Sequence, residues 1–378
     1  MFVDPASKQS FAKAYDAVAT ALRNGTTPAA QPFFENQLPG IGGPGVSSTS
    51  YLVSNYSADF TTGLVSTLFV GLDNARLALG LQPYDEQQVN LISTTGNGGW
   101  SNYNAALLTL RKTGTHFTFD VNYTFSKSLD TYQGAQNDSS NIPNPYFPGV
   151  DYGPSIFNRT NTLNAYFVYS LPKNFSKFNR PVNRILGGWY ISGIFTAVSG
   201  LPLQVIESDQ AWGGGLLDFT NYTAAIPTAP LSAINVGVHS GVTGSNGIGT
   251  NSDPAQGGSG LNLFANPQVV YNEFRPILLS QDTRSGRGHP LYGLGYWNLD
   301  DSIGKKIPIT ERMNLNLSFD FYNIFNNVNF QTPDQVYSGF GLYGASDEAN
   351  FGSISNTFLP GNRQASSRWI MLGLRMEF

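Results

Sequence analysis

The last ten residues of the chain alternate between apolar side chains and a mixed set. Because successive side chains of a strand point to opposite sides, this spacing predicts a β-strand with one apolar face. Chain termini fray unless something holds them, so a strand that ends on an aromatic residue is predicted to pair within a sheet. The apolar positions are Ile370, Leu372, Leu374, Met376 and Phe378.

The same alternation occurs further upstream. Residues 312–322 repeat it, and Thr113-Gly114 joins two strand-like runs as a hairpin. In residues 117–126, five apolar positions alternate with polar ones such as Asp120, Asn122 and Thr124. Altogether the pattern predicts about eight strands of roughly 10–14 residues, a length that suits tilted strands crossing a membrane. The apolar positions of 117–126, which would meet acyl chains, are Phe117, Phe119, Val121, Tyr123 and Phe125.

The first 100 residues lack this alternation. Phe11, Tyr15 and Val18 share one helical face, and residues 65–81 have the composition of a second short helix. We therefore predict a loop region with one or two short helices at 1–100, followed by antiparallel β-barrel strands at 101–378. Long loops on one side and short turns on the other are typical of outer-membrane barrels. The long loops are predicted at 130–158, 208–290 and 326–363.

Composition agrees with a membrane sheet without proving it. Charged residues make up only 12% of the chain and aromatic residues 13%, which fits one face in lipid and one polar face. A secreted β-sandwich would fit this composition too. The net charge of −4 disfavours nucleic acid as a partner, and the absence of cysteine excludes thiolate chemistry and disulfides. Aromatic side chains at predicted strand ends fit interfacial belts; they are Tyr103, Tyr169, Trp189, Trp297 and Phe325.

Few residues suggest catalysis or ligand binding. His116, His239 and His289 are far apart in sequence and lack the spacing of a metal site. Asp300 and Asp301 are adjacent, so on a strand they would face opposite sides and could not act as a catalytic pair. We therefore expect no enzyme activity, no metal and no cofactor.

One tryptophan in a predicted loop is a weak candidate for substrate binding. Trp212 is followed by three glycines, and its ring could stack on a sugar or a peptide. Packing against its own loop is the favoured interpretation.

Several short runs, taken together, resemble the C-terminal barrel of Oar-like TonB-dependent outer-membrane receptors. The resemblance covers about residues 95–378, and each run alone is a weak signal. The closing Leu-Arg-Met-Glu-Phe is similar as well. The runs are Trp100–Ala105, Leu110–Lys112, Tyr123–Ser128, Asn183–Trp189, Ser199–Pro202, Trp297–Asp300 and Phe321–Phe330.

The resemblance implies a 22-stranded barrel around an N-terminal plug, used for nutrient uptake. The nutrient would be an oligosaccharide, a peptide or a metal chelate. The chain shows too few strands, no plug, no TonB box and no signal peptide, so we expect it to be a C-terminal fragment. Partners would be outer-membrane lipid, the nutrient, and the TonB complex through a plug that the chain lacks. The apolar positions of the last strand, ending at Phe378, would be a signal for the barrel assembly machinery.

Two other functions remain open at this point. About eight strands can close on themselves, so the chain could form a small passive outer-membrane pore or adhesin. Alternatively, it could be a secreted carbohydrate-binding β-sandwich, although the long strands count against this.

Overall fold

A computed structural model describes most of the chain. The described residues are 2–84, 99–131, 148–172, 180–208, 223–310, 313–331, 339–341, 345–358 and 367–378. The helices are α1 (Phe11–Arg23), α2 (Pro32–Gln37), α3 (Ser48–Thr61), α4 (Val65–Ala78), α5 (Arg180–Leu186), α6 (Pro267–Asn272) and α7 (Ala345–Asn350). Within these ranges, no helix has the length and apolar character to cross a membrane.

The strands fall into one large sheet and several short pairings. In chain order they are β1 (Ser101–Lys112), β2 (Phe117–Asp130), β3 (Gly153–Pro154), β4 (Asn161–Ser170), β5 (Trp189–Val198), β6 (Pro202–Ser208), β7 (Thr223–Ala224), β8 (Ile226–Pro227), β9 (His239–Ser240), β10 (Leu261–Asn262), β11 (Phe274–Arg275), β12 (Leu291–Tyr292), β13 (Tyr296–Pro308), β14 (Asn314–Tyr322), β15 (Gly339–Gly341) and β16 (Trp369–Glu377).

The large sheet is antiparallel and has the order β1-β2-β4-β5-β13-β14-β16, with β3 paired to the end of β2. Its long strands are sequential neighbours, because the short strands between β5 and β13 belong to other sheets. Among the described residues, β1 and β16 have no further partner on their outer sides. The sheet as described is therefore open, and a closed barrel is not seen.

The register gives the sheet one apolar and one polar face. Phe319 pairs with Leu372 and with Ile303, which extends the apolar face across three strands. Side chains of this face are exposed: Leu374 is 69% exposed and Phe125 is 52% exposed. On the opposite face Asp120 is only 8% exposed. Exposed apolar and sheltered polar side chains are the reverse of a soluble protein and typical of a membrane barrel.

The two ends of the sheet differ in their connections. Short connections join β1 to β2 and β13 to β14 at one end, and β4 is joined to β5 at that same end. The strand ends that the longer connections join, from β2 to β4, from β5 to β13 and from β14 to β16, lie at the other end. We call these the short-turn end and the long-loop end. The last strand runs towards the short-turn end, so the C-terminal Phe378 lies there.

The N-terminal region forms a packed helical cluster, although the sequence predicts a loop with one or two helices. Helices α1 to α4 bury Phe11, Phe34, Phe60 and Leu68 completely. The apolar residues of α3 do not follow one continuous helical spacing, because the helix is kinked at Tyr56, where the backbone leaves helical geometry. Tertiary burial thus stabilises helices that a single-stripe pattern does not reveal.

The connection between β6 and β13 also contains a core, although its sequence predicts an irregular loop. Leu263, Phe264 and Phe351 are fully buried in a second apolar cluster with Leu203 and Leu291. Ile277 and Leu279 of the same connection pack instead into the N-terminal helical cluster. Residues 2–84 and 223–295 therefore form one packed unit, which we call the loop cap, at the long-loop end.

Candidate functional site

The polar face of the sheet carries a row of paired positions that crosses five strands. Arg111 pairs with Asp120, Asp120 with Tyr166, Tyr166 with Ile194, and Ile194 with Asp300. The strand register alone brings these residues together, since they are up to 189 positions apart in sequence. In a closed barrel this face would line the lumen.

Hydrogen bonds hold the Asp120 carboxylate in place. It accepts from Asn122 Nδ2 at 2.5 Å and from the Tyr166 hydroxyl at 3.3 Å. Arg111 Nε lies 3.8 Å away, but its side chain is largely exposed, so this ion pair contributes little stability. The Asp120 carboxylate is thus oriented by hydrogen-bond donors that also lie on the polar face of the sheet.

Two further carboxylates of the polar face are held in the same way. Asp300 accepts from Asn298 Nδ2 and from the backbone N–H of Asn323, both at 2.8 Å. Asp320 accepts from the Ser302 hydroxyl at 2.5 Å. A cavity of about 390 Å³ lies along this part of the sheet, lined by Asp300, Asp320 and neighbouring residues. The arrangement suits the wall of a water-filled passage, because donors on the same face orient each carboxylate.

The adjacent pair at 300 and 301 does not form a catalytic unit. Asp300 pairs with Ile194 on the polar face, whereas Asp301 pairs with Phe321 and Gly193 on the apolar face. The side chains of the two residues therefore project to opposite sides of the sheet, as their adjacency predicts.

The three histidines lie in separate places. A ring nitrogen of His116 is 3.2 Å from the Ser170 carbonyl, and one of His239 is 3.4 Å from the Asn235 carbonyl. His289 lines a surface cavity of the loop cap. In the part of the chain that the structure describes, no group of three or more His, Asp or Glu side chains could hold a metal ion.

The remaining sequence candidates have different outcomes. Trp212 lies outside the described residues. The apolar residues of the last strand are exposed, and Phe378 is 88% exposed. Their role as an assembly signal is not tested by this geometry and stays a prediction. The apolar residues of β16 pair with apolar residues of β14. The pairs are Ile370 with Phe321, Leu372 with Phe319, Leu374 with Leu317, and Met376 with Leu315.

Aromatic residues mark both ends of the apolar face. At the long-loop end, Trp297 packs against Phe325 with ring centroids 5.9 Å apart. Trp189 lies at the short-turn end, opposite Lys305 and eight residues along β13 from Trp297. Eight residues of strand span about 26 Å, which a tilt of about 40° reduces to about 20 Å along the membrane normal, within an outer-membrane apolar band about 25 Å tall. Tyr103, by contrast, shares the polar face, because it pairs with Ser128.

A cavity of about 350 Å³ opens on the surface of the loop cap. Its lining includes Tyr152, Gln281, Asp282, Arg284 and His289. Asp282 forms a two-point ion pair with Arg275, at 2.6 and 2.8 Å. Sequence reasoning missed this cavity, because its walls come from three separate segments.

A buried arginine joins the loop cap to the sheet. Arg287 is fully buried and forms ion pairs with Asp130, at the end of β2, and with Asp151. Its Nη1 also donates to the carbonyls of Asp130 and Asp151, at 2.9 and 2.8 Å. The hydroxyl of Ser285 donates to the Asp151 carboxylate. These contacts hold the long connection against the strand end.

A second polar contact ties the helical cluster to the rest of the loop cap. The buried Asp16 carboxylate of α1 accepts from the backbone N–H groups of Leu279 and Ser280, at 2.9 and 2.8 Å. These two residues are more than 260 positions away in the chain. The loop cap is therefore held together by hydrogen bonds as well as by apolar packing.

Glu35 of α2 caps the beginning of α3. Its carboxylate accepts from the backbone N–H groups of Ser48 and Thr49, each at 2.9 Å, and from the Thr49 hydroxyl at 2.7 Å. Burial opposes ionisation of Glu35, but these hydrogen bonds outweigh it and hold its pKa below the usual value. A charged carboxylate at a helix N-terminus is favourable in any case.

We predict that acid loosens the helical cluster through Glu35. A carboxyl whose pKa is lowered on folding stabilises the fold above its ordinary pKa, and this contribution is lost as the pH falls through the folded pKa. Glu35→Gln should therefore lower the local stability at pH 7 by about 1 kcal/mol and weaken its dependence on pH below about 4.5. Hydrogen exchange of residues 32–61 at pH 7 and at pH 3.5 measures both effects.

The control for this experiment is Glu273→Gln, at the end of α6 beside the second apolar cluster. Glu273 is half-buried and lies outside the N-terminal helical cluster, so its replacement should leave exchange of residues 32–61 unchanged. The same acid response in the Glu35→Gln protein as in the unaltered protein would contradict the assignment.

Comparison with known proteins identifies a family. A family model described as “Outer membrane beta barrel domain” matches residues 19–366, which is most of the chain. No curated protein matches the chain, and no solved structure does.

Proposed function

This chain belongs to the outer membrane β-barrel domain family, and we propose that it forms part of the barrel wall of a TonB-dependent receptor for nutrient uptake. Its place in the cell is the bacterial outer membrane. The receptor role is supported by the sequence resemblance over about residues 95–378. The nutrient would be an oligosaccharide, a peptide or a metal chelate.

One observation carries the barrel part of this proposal. The sheet exposes its apolar face, with Leu374 at 69% exposure, while Asp120 on the polar face is sheltered. In water such a face would be covered by a second apolar layer. The observation disfavours the alternative of a secreted β-sandwich, whose sheets pack apolar face to apolar face.

We further propose that the sheet is closed in the membrane by additional strands. Its edge strands β1 and β16 are 12 and 9 residues long. Unpaired backbone groups cannot remain in the hydrocarbon layer, because no water is available there to satisfy them. In a closed barrel, the polar row that contains Asp120 and Asp300 would face a water-filled lumen.

The loop cap supports a role in ligand selection. In outer-membrane barrels the long loops lie on the outer side and the short turns on the periplasmic side. The loop cap would then face the medium, with the cavity beside Arg284 and His289 accessible from outside. Passage of a nutrient would depend on a plug coupled to the TonB complex.

The last strand supports a role in assembly. At the proposed periplasmic end, Phe378 is 88% exposed and lies at the close of an exposed apolar strand. We propose that this strand is the signal that the barrel assembly machinery binds. An exposed edge offers backbone groups for pairing with another strand.

Conductance in planar bilayers tests the receptor proposal against a passive pore. The full chain, refolded in detergent, should insert into bilayers without opening a steady channel if it is part of a receptor wall. Faster migration of the unheated protein on a gel would show that it has folded. Steady conductance from the folded chain alone would overturn the proposal and favour the small passive pore.

A further inference from the structure

The last part of the connection between β4 and β5, residues 180–188, contacts the apolar face of the sheet through Lys305 and Trp189. It contains α5, and it leads into Trp189 at the start of β5. Trp189 pairs with Lys305 of β13. Lys305 shares the apolar face with Ile303, although it is charged. This part of the surface therefore combines a lysine, a tryptophan and the end of a helix.

Lys305 and Trp189 hold the end of α5 on the sheet through hydrogen bonds. The Lys305 ammonium donates to the carbonyl of Ile185 and, at 3.1 Å, to that of Gly187. The indole N–H of Trp189 also donates to the Ile185 carbonyl, at 2.9 Å. Carbonyl groups at the end of a helix need such donors, and a positive charge there is favourable. These hydrogen bonds therefore hold the turn after α5 in a defined position on the sheet.

The charge of Lys305 does not face the surroundings. The residue is only 6% exposed, and its ammonium lies 4.7 Å from the centre of the Trp189 ring. A cation over an indole face is attracted to it, more strongly where water is excluded. The charge that would otherwise interrupt the apolar face is thus covered from outside by the turn.

The turn presents apolar side chains instead. Ile185 is 68% exposed and Leu186 is 42% exposed, values similar to those of the apolar face itself. The two residues adjoin Trp189, which marks the aromatic belt at the short-turn end. They therefore extend the apolar surface of the sheet towards the headgroup level of a membrane.

We propose that α5 and its turn are a lipid-interface anchor, in which Ile185 and Leu186 insert among the acyl chains of the periplasmic leaflet. The occupant is lipid because this surface continues the face that meets the membrane, and because short turns of outer-membrane barrels lie on the periplasmic side. A tryptophan such as Trp189 is typical of such an interface, where its ring lies at the level of the headgroups. The inference depends on the membrane location and not on transport.

The absence of cysteine makes a direct test possible. A single cysteine at Ile185→Cys is labelled with an environment-sensitive fluorophore, and the full chain is refolded into vesicles of phosphatidylethanolamine and phosphatidylglycerol. We expect quenching by lipids with a nitroxide near the headgroup, and at least threefold weaker quenching by aqueous iodide than at Val238→Cys in the loop cap. Leu374→Cys on the apolar face is the matched reference for lipid contact.

The reference positions separate this inference from the membrane location itself. Lipid quenching at 374 together with iodide quenching at 185 would overturn the anchor while leaving the inserted sheet intact. Iodide quenching at both positions would overturn the anchor and the membrane facing together. Leu186→Cys is a second labelling position in case the first variant does not fold. Lipid quenching at either anchor position, with iodide quenching at 238, supports the proposal.

Discussion

The substitution Arg287→Met should lower the stability of the loop cap by about 3–5 kcal/mol. Methionine keeps much of the side-chain volume but removes the charge that Asp130 and Asp151 share. Asp151 is completely buried, so its carboxylate would lose the positive charge of Arg287 in a place that water does not reach. Hydrogen exchange of residues 148–155 and 223–295 in the refolded protein measures the loss.

Arg284→Met is the matched control for this experiment. It lies three positions away in the same segment, but its side chain is exposed at the surface cavity. Surface substitutions of this kind usually change stability by no more than about 0.5 kcal/mol. If Arg287→Met and Arg284→Met had equal effects on exchange, the buried arginine would not be what holds the loop cap to the strand end.

The substitution Val121→Arg should destabilise the folded protein in lipid by about 2–4 kcal/mol if the position lies near the bilayer midplane. Val121 pairs with Leu110 and Ala165 on the apolar face. The charge of an arginine at this position must either lose its water or distort the bilayer so that water can reach it, and both cost free energy. Urea titration of the protein refolded in vesicles measures the change in the free energy of unfolding.

The neighbouring substitution Asn122→Arg should cost much less. Asn122 faces the polar side, where its Nδ2 donates to Asp120 and its Oδ1 accepts from the Thr109 hydroxyl at 2.8 Å. An arginine there loses these two hydrogen bonds but remains beside a carboxylate and, in a barrel, in contact with water. Equal destabilisation by the two substitutions would show that the assigned faces are wrong.

The strands of the sheet were accessible to prediction because their signal is local. Alternation of apolar and polar residues predicts the strand around Val121, and the structure has β2 over Phe117–Asp130. The same alternation predicts that Asp300 and Asp301 face opposite sides, which the pairing of β13 bears out. A period of two needs only the geometry of the strand itself, without any knowledge of its neighbours.

The loop cap could not be predicted in this way. Its polar contacts join residues such as Asp16 and Leu279, which are 263 positions apart. Arg287 stands in a Gly/Ser-rich segment whose sequence has no periodicity, and nothing local distinguishes it from the exposed Arg284. Which arginine is buried depends on where the chain folds back against Asp130 and Asp151.

The sequence by itself determined the long antiparallel strands, their apolar and polar sides, and the kind of surface that this protein presents to a membrane. These follow from side-chain alternation along single strands and from the short turns that join neighbouring strands. Only the tertiary structure decided that the N-terminal helices and a long connection form one loop cap, that Arg287 ties it to β2, and that Lys305 is covered by the turn after α5. These features arise from burial and charge pairing between distant segments, and such contacts leave no periodic trace in the chain.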